Sequence, residues 1–338
     1  MTLQLSDIDF EVPPFMVHHY YVMGSIAIII NSFVFYLILF QSGKIDSFKY
    51  YMLSFQLVCS LQDIHMCFAM QPIPLFPIVA GHCAGFLSSL FHVSSHLIMT
   101  ILSLLVGFQV NSLNACFLRK HQAIAKIGQK GVLSRTSYYF ILFLFFIYTF
   151  FYTTSFFFAK IPKEKQYEII EKEYPVFLPK FRNLVEFELY ELNWMVIAFL
   201  SMIIGGCLQS ILTVSFLVFQ MYNTLSSCRA KLSKSTLEKH KAALVSLVAQ
   251  FLTTPIGILP AMFIVMTVLI PFSGAQEFTF YMILMMTSHS TINSLVVIST
   301  FPEFRAFVMF WSKEGRRRRS RLSVSFVVDA SGSTRHNF

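Results

Sequence analysis

Five side chains carry chemistry in stretches that are otherwise apolar: Asp63, His65, His92, His96 and His289. Ionisable groups are expensive in lipid surroundings, so each is a candidate ligand-pocket or switching residue. Asp63 is the only acid inside a long apolar stretch, about two-thirds of the way along the second one. It could contact a ligand, hold a cation or serve as an activation hinge. It could equally be a buried acid hydrogen-bonded to the third or seventh stretch. His92 and His96 are spaced i, i+4, which predicts one shared helix face about halfway down the third stretch. Two histidines at that spacing can bind a metal, but no third ligand accompanies them, so pocket lining or interhelical hydrogen bonding is the better reading. His289 is expected near mid-depth of the seventh stretch, and His65 in the second. No metal site is assigned.

Enzyme constellations are missing. There are no phosphate-cradling glycines, no His-Glu-x-x-His and no assignable Ser/His/Asp set, so neither an enzyme nor a cofactor-binding protein is expected. No lysine falls in any of the apolar stretches as read here, which excludes a retinal Schiff base.

The elements that must position these groups are membrane helices. The chain has 338 residues, of which 13% are charged, against about 25% in soluble domains, and its mean hydropathy is +0.63. No soluble core of this length could hide so much apolar surface, including 39 phenylalanines. A membrane helix needs roughly 20 mainly apolar residues. Seven stretches qualify: 17–40, 50–70, 83–110, 136–159, 194–221, 242–270 and 278–301. Residues 1–16 are then an extracellular N-terminus, 17–301 the transmembrane domain and 302–338 a cytoplasmic tail. The N-terminal residues have no basic start, so the first stretch reads as an uncleaved anchor.

Orientation follows from charge. With the N-terminus outside, 20 Lys/Arg fall on the cytoplasmic side and 6 on the exterior, all of the latter in the long loop 160–193. The fold class is therefore all-α: a seven-transmembrane helix bundle, N-terminus outside and C-terminus cytoplasmic. An odd number of spans disfavours a transporter built from two equal inverted halves. The net charge of +9 is explained by topology and membrane lipids rather than by nucleic acid. The second and third cytoplasmic loops, taken as 117–135 and 222–241, hold ten Lys/Arg against one Glu and form a candidate partner face. Arg119, Lys120, Arg229 and Lys231 are its representatives. Pro255 and Pro260 should kink the sixth span, each by removing a backbone hydrogen bond. After the last span, Phe304, Phe307, Val308 and Trp311 recur at i, i+3, i+4 and i+7, an apolar face for the inner leaflet. A basic cluster follows, Lys313, Arg316 to Arg319 and Arg321. Ser320, Ser323 and Ser325 lie in or beside it, so phosphorylation there could release the tail from anionic lipid.

Several motifs resemble a known family. Gln71-Pro72-Ile73-Pro74-Leu75-Phe76-Pro77, followed by Gly81 and Gly85, is similar to the segment after the second helix in nematode serpentine chemoreceptors of the Str superfamily, classes H and I. Lys120-His121-Gln122-Ala123-Ile124-Ala125 resembles their second cytoplasmic loop, class I in particular. His240-Lys241-Ala242-Ala243-Leu244, with Ser246, Leu247 and Gln250, resembles the start of their sixth helix. Ser288-His289-Ser290-Thr291, Asn293 and Pro302 to Arg305 resemble the end of their seventh. The resemblance implies a chemosensory G-protein-coupled receptor of sensory cilia, with a small-molecule ligand and a heterotrimeric G protein as partners. Departures from the rhodopsin-like pattern accompany it: the third stretch runs Gln109-Val110-Asn111 where Asp-Arg-Tyr would stand, Asn-Pro-x-x-Tyr is missing, and the long exterior loop has no Cys for Cys83. Two alternatives stay open: an odorant-gated cation channel, whose insect-like topology would put the N-terminus inside against the charge count, and a proton-coupled transporter using Asp63 with histidines.

Overall fold

Helix starts are written in the sequence as hydroxyl and amide caps. Ser94, Ser134, Asn193 and Ser233 each accept from the backbone N–H three residues on, satisfying a donor that the helix itself cannot. The computed structural model describes residues 8–41, 48–229, 233–270 and 272–310. The long helices are α1 (Pro14–Tyr36), continued by a π-helical turn Leu37–Gln41, and α2 (Phe48–Ile64), continued likewise by His65–Met70. A hairpin, β1 (Pro72–Pro74) and β2 (Ala80–Cys83), and a short helix α3 (Phe86–Ser89) lead to α4 (Ser95–Gly128) and α5 (Arg135–Phe157). The long connection 160–193 then forms α6 (Lys163–Glu173), α7 (Leu178–Asn183) and β3 (Glu188–Leu189). Three long helices close the fold: α8 (Trp194–Ser227), α9 (Lys234–Leu269) and α10 (Ala275–Thr300). Residues 302–310 are helical again.

Contacts run in a ring, α1 to α2, α4, α5, α8, α9 and α10, and back to α1. Helix α4 also touches α9, so it crosses the middle of the bundle. Six of the helices are long and apolar enough to cross a membrane, among the described residues. The further one, α2, carries Gln56, Gln62 and Asp63, and this polar content keeps it from standing out. Bulky side chains coat the outside, among them Phe140, Phe143, Phe146, Phe150 and Phe151 on α5, as lipid rather than water requires. The inward core joins Phe55, Cys59, Leu113, Phe117, Val214, Leu247, Val297 and Phe304.

The third span is a correction. Expected at 83–110, it runs instead as α4 from Ser95 to Gly128. Apolar composition extends N-terminally into residues that form a sheet: β2 pairs antiparallel with β1 (Ile73 opposite His82) and with β3 (Gly81 opposite Glu188). Pro72 and Pro74 fit because β1 is an edge strand, where a missing N–H costs no ladder bond. Gly85 then meets the backbone of Ala69 so closely that a Cβ would lie 2.4 Å from its carbonyl oxygen. The helix ends at the opposite face are corrected as well. Helix α4 extends through polar residues because Leu113, Cys116, Phe117, Leu118 and Ile124 pack into the core, so most of the expected second loop is helical. Helices α8 and α9 together absorb most of the third, 222–227 and 234–241. Lys120 and Lys126 therefore belong to α4, and Lys234 and Lys241 to α9, although α10 contains no lysine.

The long connection and the hairpin share a core of their own, with Ile8, Leu75, Ile78, Ile161, Ile170, Phe177, Phe181, Phe187 and Leu189. Glu188 is buried there, accepting from Gln166 Nε2 at 2.8 Å and paired with Lys160 at 3.2 Å and Lys163 at 3.8 Å. This unit is tied down at several points: Gln276 at the start of α10 donates to the carbonyls of Asp9 (2.7 Å) and Pro74 (2.9 Å), and Tyr20 donates to Pro72 (2.9 Å). The result is a β-lid across the bundle mouth.

Candidate functional site

Beneath the lid lies a chamber of about 280 Å³. Its walls are Met66 and Met70 from the end of α2, Met99 and Leu102 from α4, Phe156 from α5, Val196, Phe199 and Leu200 from α8, Ala261, Ile264 and Val265 from α9, and Ile283 and Met286 from α10. The roof is Pro72 to Pro74, Phe76 and Val79 to Cys83. Nearly everything facing the space is apolar. Two polar groups come from the lid. The Tyr190 hydroxyl is held by His96 Nδ1 at 2.9 Å, and burial keeps its pKa well above the ordinary tyrosine range. His82 is nearly buried, its Nδ1 has no hydrogen-bond partner, and desolvation pushes its pKa down to about 4.

A second, smaller chamber of about 90 Å³ continues toward the centre of the bundle and shares Ala261 and Met286 with the first. It is bounded by Phe55 and Gln62 of α2, Val106, Gln109 and Leu113 of α4, Ile203 and Cys207 of α8, Thr254, Gly257 and Ile258 of α9, and His289 of α10. Gly257 leaves room for the imidazole, since a Cβ there would stand 3.2 Å from His289 Cγ. Larger grooves exist, including one of about 780 Å³ between α4, α5 and α8. It is lined by Phe151 and Phe216, which are more than half exposed toward the lipid side, so it is an outer surface rather than an enclosed site.

The sequence candidates separate in this geometry. His289 lines the inner chamber. Asp63 lines neither chamber. It accepts from Asn31 Nδ2 at 2.9 Å in a cluster joining α1, α2 and α10. There Gln56 donates to Asn31 Oδ1 (2.9 Å) and Ser294 Oγ (2.8 Å), while Asn31 also donates to Ser290 (3.1 Å). His65 is bound to the Ile98 carbonyl at 2.9 Å. His96 holds Tyr190 and the Phe157 carbonyl (3.0 Å) and stacks on Phe156, so it braces the chamber wall from behind. The shared face of His92 and His96 is overturned. His92 is exposed in a turn at φ 52°, two residues before the cap Ser94, so helical spacing does not apply; His96 occupies the first turn of α4 rather than its middle. Among the described residues no group of three metal-ligating side chains occurs.

At the opposite end, Lys120 is nearly buried with its ammonium 5.3 Å from the Phe48 ring centre, whereas Arg229 is exposed. Arg119 lines a basic concavity with Lys126, Arg135, Tyr51 and Tyr138. Lys231, Trp311 and the basic cluster of the tail lie outside the described residues. Pro255 and Pro260 sit within an unbroken α9. Phe304 is fully buried in the bundle core and Phe307 and Val308 are half-buried, with Arg305 exposed, so Phe304 packs against protein where a leaflet-facing side chain was expected. Gln62, Gln109 and His82 escaped sequence reasoning because intramembrane amides are less conspicuous than charges, and because His82 fell in the short connection before the stretch 83–110, where no pocket wall was expected.

Three comparisons bear on this architecture. The family model described as serpentine type 7TM GPCR chemoreceptor Sri matches residues 6–308. Among solved structures, squid rhodopsin is similar with a TM-score of 0.53 at 11% identity, over 88% of this chain and 85% of that one. At that identity the likeness shows the fold alone, a rhodopsin-like seven-transmembrane bundle. No curated protein matches the chain.

Proposed function

The chain belongs to the Sri family of serpentine chemoreceptors, a receptor family rather than an enzyme family, and from that membership we propose that it is a ligand-activated G-protein-coupled receptor. A small, largely apolar molecule enters the outer chamber among the outer halves of the helices, and the inner face engages a heterotrimeric G protein. One observation carries this reading: an apolar space under a lid, walled by α2, α4, α5, α8, α9 and α10, with few polar groups to fix orientation. In this reading His289 is a direct ligand contact. Asp63, His65 and His96 support the walls, and His92 stands apart from the pocket.

The excess of basic residues at one end supports an exterior N-terminus and a cytoplasmic tail in the plasma membrane. The family resemblance supports a sensory cilium as the location and class I, rather than class H, of the Str superfamily. On the cytoplasmic face we assign partner contact to Arg119, Arg229 and Lys231, with Lys120 bracing the start of α2. Pro255 and Pro260 weaken α9 where an opening motion would bend it, since each removes a backbone hydrogen bond.

The test is a reporter cell expressing the chain, screened with volatile and soluble metabolites with and without G-protein blockade. A response abolished by blockade is expected. A membrane current that persists under blockade would replace this reading with the channel.

A further inference from the structure

The inner chamber contains two polar atoms that the protein leaves without partners. Gln62 Oε1 and His289 Nε2 are both buried, neither makes a hydrogen bond, and both residues line the same 90 Å³ space. His289 is 5% exposed. A buried polar atom without a partner costs about 1–3 kcal/mol, so two such atoms on residues that line one small chamber mark a place where a guest can complete them.

The hydrogen-bond roles of the two atoms follow from their surroundings. Gln109 Nε2 lies 3.2 Å from His289 Nδ1 and 3.3 Å from Cys59 Sγ. An amide NH₂ can only donate, so Nδ1 is the acceptor, and in a neutral imidazole the proton then resides on Nε2. His289 therefore offers a donor to the chamber. Gln62 Oε1 offers an acceptor. The surrounding residues add little polarity: Phe55, Val106, Leu113 and Ile203 close the sides.

We propose that the ligand is an apolar molecule ending in one group that both accepts and donates, a hydroxyl or a primary amide, held in the inner chamber between His289 Nε2–H and Gln62 Oε1. The apolar body fills the outer chamber beyond Ala261 and Met286. A ketone, aldehyde or ester can accept from His289 but leaves Gln62 unpaired. A carboxylate has the same defect and brings an uncompensated charge into an apolar site. A hydrocarbon satisfies neither atom. This inference rests on the receptor reading above, because it presumes that the ligand enters the helix bundle.

The experiment uses the full-length chain in lipid nanodiscs and four probes of equal chain length: 1-octanol, 2-octanone, octanoate and octane. Wild type is expected to bind 1-octanol about fivefold more tightly than 2-octanone and octane least of the neutral three, one hydrogen bond being worth roughly that factor. Gln62→Leu should erase the preference for the alcohol over the ketone. His289→Leu should erase the preference of either over octane. A misfolded variant would instead weaken all probes together. Ile283→Trp, which fills the outer chamber, serves as the control for location. Equal binding of the three neutral probes in wild type, abolished by Ile283→Trp, would overturn the inference while leaving the receptor pocket intact; solvent, not ligand, would then satisfy the two atoms. Binding untouched by Ile283→Trp would overturn the pocket itself. Failure of all four probes to bind would also overturn the inference.

Discussion

Residues 62 and 63 on α2, and 289 and 290 on α10, are neighbours in sequence that belong to two different regions. Asp63 and Ser290 join Asn31, Gln56 and Ser294 in a cluster whose members satisfy one another. Gln62 and His289 face the inner chamber, where a polar atom of each is unanswered. With 3.6 residues per turn, consecutive side chains diverge by about 100°, so one step along each helix moves from the α1 side to the α9 side. The chemistry available on the two sides is similar. What differs is completion. A satisfied buried network rigidifies and specifies an arrangement, whereas an incomplete one is costly until something else completes it. The cluster therefore ties α1, α2 and α10 together, and the chamber is where those helices meet a guest.

The largest expected effect breaks the first region. Asn31 is fully buried and is the hub of the cluster, so Asn31→Ala leaves Asp63 and Gln56 without their main partner. We expect a loss on the order of 2–3 kcal/mol, read as a fall in the thermal unfolding midpoint of the purified receptor. A midpoint unchanged within error would mean that the cluster does not hold the helices.

Next comes the chamber wall. Gly257→Val places a branched side chain against the His289 ring, which an ordinary Cβ would already approach to 3.2 Å. Ligand potency in the reporter cell should fall at least tenfold, about 1.4 kcal/mol or more, with surface expression retained. Retained potency would show that ligand stops in the outer chamber.

Gln62→Leu sharpens the contrast. Its carbonyl oxygen is already unpartnered, so the substitution should change stability by less than about 1 kcal/mol in either direction, unlike Asn31→Ala. A loss as large as that of Asn31→Ala would put Gln62 in the structural class.

The smallest effect concerns the lid. His82 titrates at about 4 in the folded protein, below the ordinary 6.5, because burial disfavours its charged form. Between those values the unfolded or opened lid takes up a proton that the closed lid does not. The closed lid is thus fully stabilised above about pH 6.5 and progressively less so as pH falls toward 4. Ligand affinity should drop a few-fold between pH 7 and pH 5, and His82→Leu should flatten that dependence. An identical pH profile in the variant would remove His82 from the lid's energetics.

Much of the architecture was legible because hydropathy is local and accumulates along the chain. Residues 136–159, 194–221 and 278–301 declare α5, α8 and α10 without reference to any partner, and the basic residues gather mostly at one end of the spans by the same one-dimensional logic. The i, i+3, i+4 repeat of Phe304, Phe307 and Val308 likewise needs only the period of a helix. Hydrogen bonding is different, since its partners come from distant parts of the chain. Whether 83–94 is membrane helix or lid depended on strand partners at 72–74 and 188–189, and that choice moved His92 and His96 off a common face. Whether Asp63 contacts a ligand or closes a cluster depended on Asn31 and Ser290, the latter more than two hundred residues away. Apolar burial asks only that a side chain leave water, whereas a buried polar atom asks for one particular partner at about 3 Å, and only the folded chain decides whether it arrives.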